Sequence, residues 1–147
     1  MTSAESRPHA PLPSGYQLIP EAPGAEEYLR LRRESGLSPR TREQSAGALM
    51  ASWAWASVRT EDGALAAMGR VLGDGTWYFH LADIATDPAH QRRGLGRVVM
   101  EDLIARIDAA APPHPYITLL ADPPGQRLYG SLGFVDSSPS VGMRLPR

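Results

Sequence analysis

Apolar positions come in short runs divided by turn residues, and their period changes along the chain. The leader, residues 1–15 (MTSAESRPHAPLPSG), offers almost nothing to bury and is read as disordered, so one domain is expected over 16–147. Tyr16 to Ile19 predicts a strand. Ala25 to Ser35 predicts a helix, with Tyr28, Leu29, Leu31 and Arg32 at roughly helical spacing and Gly36 at the stop. A second helix is expected from Thr41 to Met50 after the Ser38-Pro39 break. Ser52 to Thr60 then alternates as a strand would, with Trp53, Trp55 and Ser57 on one face and Ala54, Ala56 and Val58 on the other. Leu65 to Leu72 and Trp77 to Ala85 continue the pattern across two turn signals, Glu61-Asp62-Gly63 and Gly73-Asp74-Gly75, which predicts an antiparallel meander.

The period then becomes helical. Leu95, Val98, Val99, Leu103 and Ile107 form one apolar stripe on a helix expected from Gln91 to Ala110. Tyr116 to Ala121 reads as a short apolar strand, parallel to its predecessor because a helix connects them. Pro124 to Leu132 reads as a short helix, and Phe134-Val135 with Val141 to Leu145 as a terminal hairpin.

Composition narrows the chemistry. All fifteen basic side chains are Arg, and the chain has neither Lys nor Cys. That excludes a disulfide scaffold, a thiolate zinc cluster, a Cys nucleophile, a Walker lysine and a Schiff-base enzyme. The net charge of −1 gives no reason to expect nucleic acid or anionic lipid as a partner. No apolar run approaches a membrane span or a signal-peptide core, so a cytoplasmic protein is expected. His9, His90 and His114 stand apart without metal-ligand spacing, and no metal site is expected.

The informative stretch is DIATDPAHQRRGLGRVVMEDLIARI, residues 83–107: a strand, a turn and a helix opening on Gln91-Arg92-Arg93-Gly94-Leu95-Gly96. Unpaired N–H groups and the positive end of the macrodipole make a helix N-terminus a site for phosphates. Gly94 and Gly96 allow close approach to the backbone, and Arg92, Arg93 and Arg97 add charge. About 35 residues downstream comes Tyr129-Gly130-Ser131-Leu132-Gly133-Phe134.

The Gln-x-x-Gly-x-Gly on the central helix and the Tyr-x-x-x-Gly-Phe after the next strand together resemble the GCN5-related N-acetyltransferase (GNAT) superfamily. The order of elements agrees over residues 16–147. The resemblance implies an α+β (mixed α/β) fold, whose central, mostly antiparallel sheet splays between its fourth and fifth strands and is flanked by helices. It implies acetyl-CoA as acetyl donor, with no metal. Gln91, Arg92, Arg93, Gly94, Leu95, Gly96 and the added charge of Arg97 would hold the pyrophosphate. The backbone of Ile84, Ala85 and Thr86 would pair with the pantetheine arm as an extra strand does.

Acetyl transfer to an amine needs a neutral nucleophile, donors for an oxyanion and a proton for the leaving thiolate. Tyr129 is similar to the superfamily's general acid, and a backbone N–H near Ile84 or Ala85 suits the oxyanion. His80 and Asp83 are the candidate bases. Alternation puts His80 on a face with Tyr78, Ala82 and Ile84, and Asp83 on the other unless a bulge intervenes. Asp83 also reads as a structural cap or a substrate-binding carboxylate. Trp53 and Trp55 read as core or as an acceptor-pocket wall. The expected reaction is direct transfer in a ternary complex to the primary amine of a small molecule. The alternatives are a protein N-terminus or Lys side chain as acceptor, and a non-catalytic acyl-CoA-binding module. The superfamily often dimerises, which leaves a homodimer open.

Overall fold

The computed structural model describes residues 11–147; residues 1–10, most of the expected leader, lie outside it. Leu12 already packs against the core. The elements run β1 (Tyr16–Ile19), α1 (Ala25–Glu34), α2 (Arg42–Ala51), β2 (Ala54–Thr60), β3 (Leu65–Gly73), β4 (Tyr78–Thr86), α3 (Leu95–Ala110), β5 (Tyr116–Thr118) and α4 (Pro123–Ser131). One sheet carries the strands in sequence order, antiparallel from β1 to β4 and parallel between β4 and β5. The α+β class, the meander and the parallel last pair are those the sequence implies.

Two cores flank the sheet. Ala56, Val71, Phe79 and Leu81 face the α3 stripe of Leu95, Val99, Leu103 and Ile107, while Trp55, Met68 and Ala85 face Tyr28 and Leu31 of α1. α2 begins in a reciprocal cap, with Thr41 Oγ1 accepting from the Gln44 N–H and Gln44 Oε1 accepting from the Thr41 N–H. The α1–α2 connection is held by Arg32, whose guanidinium donates to the Ser38 carbonyl.

The pairing of β3 with β4 shifts between Met68↔Ala85 and Arg70↔Ala82, so Gly69 opposes both Asp83 and Ile84. This is a β-bulge, with Asp83 at φ +54°. A Cβ on residue 69 would lie 2.6 Å from both Ile84 Cδ1 and Val99 Cγ1, so glycine is what lets Ile84 and α3 close on the sheet.

Three expectations are corrected. Trp53 and Trp55 do not share a face. Trp53 precedes β2, donating its N–H to the Val71 carbonyl and packing on Phe79, whereas Trp55 sits against Tyr28 on the opposite side. The long helix starts at Leu95 rather than Gln91. Asp87 Oδ1 accepts from the Ala89 N–H and starts a single 3-10 turn, Pro88–His90, and positive φ at Arg92 and Gly94 then delays the helix. The terminal hairpin does not form; residues 132–147 hold no strand. Pro139 cannot donate to a ladder, and Asp136 instead binds the Ser138 N–H, with a turn closing from Ser137 to Ser140. Val135, Val141, Met143 and Leu145 are exposed.

Candidate active site

β4 pairs with β5 only from Tyr78 to His80, and past that point its β5-facing edge runs on without a strand partner. The chain then reaches the N-terminus of α3. Gly94 is its N-cap at φ +77°, a conformation that suits glycine, and no side chain occupies the capping position. Arg92, at φ +63°, is a non-glycine residue in the left-handed region. The result is a hollow of about 260 Å³ lined by Thr86, Gln91, Arg92, Gly94, Leu95, Gly96 and Arg97, with Leu128 of α4 opposite. A Cβ on residue 96 would lie 3.4 Å from Leu128 and 3.7 Å from Thr86 Oγ1, so a larger side chain there would intrude on the hollow.

Seven of the residues singled out for the cofactor therefore meet at one place. Arg93 does not line this hollow: it donates to the Tyr16 hydroxyl, 2.7 Å away, and lies over the Tyr16 ring. The Tyr16 hydroxyl is also 2.7 Å from His90 Nδ1, a contact with no sequence signal because 74 positions separate the two residues. Ile84 and Ala85 lie on β4 rather than in the hollow. Ile84 packs towards α3 and Ala85 towards α1.

On the α1-facing side of β4, His80 is half-buried, and its Nδ1 lies 2.9 Å from Thr118 Oγ1 on β5. Thr118 Oγ1 in turn donates to the Phe79 carbonyl at 3.4 Å. A hydroxyl has one proton, so Nδ1–H must be the donor to Thr118, which leaves Nε2 with a free lone pair. Burial and the charge of Arg70 hold the imidazole below its ordinary pKa. His80 is thus a neutral acceptor near neutrality.

The bulge brings Asp83 to the same side as His80. Its carboxylate is 9% exposed and pairs with Arg32 and, at 2.7 Å, with Arg70 Nε. The Tyr28 hydroxyl donates to Asp83 Oδ2 at 2.7 Å, and burial with this contact raises the Tyr28 pKa. Two guanidinium groups and a phenol occupy this carboxylate. Neither Arg32 nor Arg70 is given a site role by the sequence: Arg32 reads with Arg33 as a solvated helix face, yet it is 6% exposed and buried against Asp83.

Tyr129, on α4, packs edge-on to Phe134. Burial, with a smaller contribution from Asp122, raises its pKa, so the phenol keeps its proton at neutral pH. Such a group can donate a proton but not accept one.

A family model described as an acetyltransferase (GNAT) domain matches residues 39–144. The chain belongs to this family. A solved Staphylococcus aureus structure, described as a protein of unknown function and probable acetyltransferase, is 32% identical to this GNAT protein with a TM-score of 0.84, covering 90% of this chain and 99% of that one. Glucosamine-6-phosphate N-acetyltransferase from Arabidopsis thaliana shares the GNAT fold at 15% identity and TM-score 0.64, over 89% of this chain and 99% of that one. The ribosomal-protein-S18-alanine N-acetyltransferase of Escherichia coli does so at 22% identity and TM-score 0.68, over 84% and 79%. No curated protein sequence matches the chain. Among the described residues no helix is long and apolar enough to cross a membrane, and no cluster of His, Cys, Asp or Glu could hold a metal ion.

Proposed function

We propose that this GNAT protein transfers the acetyl group of acetyl-CoA directly to the primary amine of a small molecule. The observation that carries the reading is the run of β4 from His80, past an edge without a strand partner, to the glycine-lined hollow at the start of α3. The N–H groups at the start of α3, with Arg92 and Arg97 beside them, suit a pyrophosphate. Acetyl-CoA, when bound, supplies an activated thioester. The backbone of Ile84, Ala85 and Thr86, beyond the stretch of β4 that β5 pairs, is disposed to pair with an extended arm and to offer an N–H to a developing oxyanion. His80 Nε2 takes the proton of the attacking amine, directly or through a water. Tyr129 delivers its proton to the departing thiolate. Asp83 acts in this scheme as a positioning residue that orders Arg32, Arg70 and Tyr28, because its carboxylate is already committed to them. A cytoplasmic enzyme goes with this reading.

The test is release of free CoA from acetyl-CoA with a panel of amines, using wild type and Tyr129→Phe. Amine-dependent release that falls in Tyr129→Phe by about 10²- to 10⁴-fold, the usual scale of general acid catalysis, is expected. CoA binding without turnover on any amine would instead identify a binding module, and turnover confined to peptides would identify a protein acetyltransferase.

A further inference from the structure

Charge on the α1-facing side of the sheet does not balance. Arg32 and Arg70 share one carboxylate, Asp83, and no other ion pair to either is formed among the described residues. Tyr28 adds no negative charge, because its phenol stays protonated. Arg32 is fully engaged: Nη1 goes to Asp83, and Nε and Nη2 go to Ser38. Arg70 is not. Its Nε donates to Asp83 and its Nη1 to Ser52 Oγ at 3.2 Å, while Nη2 has no hydrogen-bond partner among the described residues. The side chain is 16% exposed and lies over the Trp55 ring, and Nη2 is not among the fully buried polar atoms, so its free N–H groups stay within reach of a ligand. A planar guanidinium with free N–H groups fits a carboxylate or phosphate.

Position matters as much as charge. Arg70 pairs with Ala82 and Leu72 with His80, so Arg70 is the diagonal neighbour of His80 on the same face of the sheet. Such neighbours have Cα atoms about 7–8 Å apart. A molecule whose amine meets His80 and whose other end meets Arg70 therefore spans only a few bonds.

We infer that the acceptor is a small amine carrying an anionic group, carboxylate or phosphate, and that Arg70 is the residue that binds this group. The inference rests on the acetyltransferase reading and narrows its acceptor. An anion beside Arg70 would also offset the smaller of the two influences that hold down the basicity of His80, burial being the larger.

Two measurements on the full chain test it. In the first, protein saturated with CoA, which occupies the α3 hollow, is titrated with acetate, inorganic phosphate or sodium chloride while the Arg70 Nε–H and His80 ring resonances are followed by NMR. Saturable shifts with acetate or phosphate, beyond those with chloride, are expected, and the more effective anion identifies the group. Equal effects of all three salts would overturn the inference. Failure of CoA itself to bind would overturn the acetyltransferase reading and this inference with it. The second measurement compares propylamine, β-alanine and 2-aminoethylphosphonate as acceptors. One of the two anionic amines should exceed propylamine in kcat/KM by about 10- to 100-fold, the scale of a hydrogen-bonded charge pair. That ratio should collapse in Arg70→Gln and partly return in Arg70→Lys. Propylamine turned over as well as both would sink the proposal while leaving acetyl transfer intact.

Discussion

Gly125 and Tyr129 stand one helical turn apart on α4, and the phenol occupies the space a side chain at 125 would take. A Cβ there would lie 2.6 Å from the Tyr129 ring and 2.9 Å from its hydroxyl. Gly125→Ala should favour the helix by about 0.5–1 kcal/mol through propensity alone. It should also push the Tyr129 hydroxyl aside. The expected outcome is a protein with an equal or higher thermal midpoint and unchanged CoA affinity but a reduced kcat. A variant that keeps full kcat would remove Tyr129 from the acid role.

Asp83 is the keystone of the opposite face. Asp83→Ala would leave two guanidinium groups uncompensated and Arg32 held only by the Ser38 loop. The expected loss is about 3–5 kcal/mol, as for other buried pairs broken on one side, read from urea unfolding. Arg70 is the more exposed partner, at 16%, so Arg70→Gln should cost less than Asp83→Ala. Equal stability of Asp83→Ala and wild type would mean that water already screens the cluster.

His80 makes the pH dependence predictable. Burial first, and the Arg70 charge second, lower its pKa below the ordinary imidazole value. A base must be unprotonated to act, so kcat/KM should fall on the acid side with a midpoint below about 6.5, and stay flat through neutrality. Arg70→Gln removes one of the two depressing influences and should move that midpoint to higher pH. His80→Ala should abolish the acid limb, and survival of the limb in that variant would assign it to another group.

Much of the fold is written in local periodicity. The meander and the α3 stripe each depend on neighbours within a few residues and form where their pattern lies, although Gln91 to Gly94, expected to open the helix, stay outside α3. What the pattern could not carry was chemistry across distance. Strict alternation would have parted Asp83 from His80, and only the bulge opposite Gly69 turns them to one side. The trio of Arg32, Arg70 and Asp83 joins residues up to 51 positions apart, and no period announces such a meeting. Trp53 misled because it lies just outside β2, where alternation no longer applies. At the C-terminus the reverse held: Val135, Val141 and Leu145 look like strand residues, yet Pro139 and the Asp136 turn redirect the backbone between them.

The unpartnered stretch of β4 has a second side to it. Open strand edges are where chains recruit one another, and proteins usually blunt them with charge, proline or a covering element. From Leu81 to Thr86 the only charged residue is Asp83, which is turned into its own ion pairs and offers no deterrent at the edge. A ligand laid along this edge would therefore also be a guard, keeping one copy of the chain from becoming the missing strand of another.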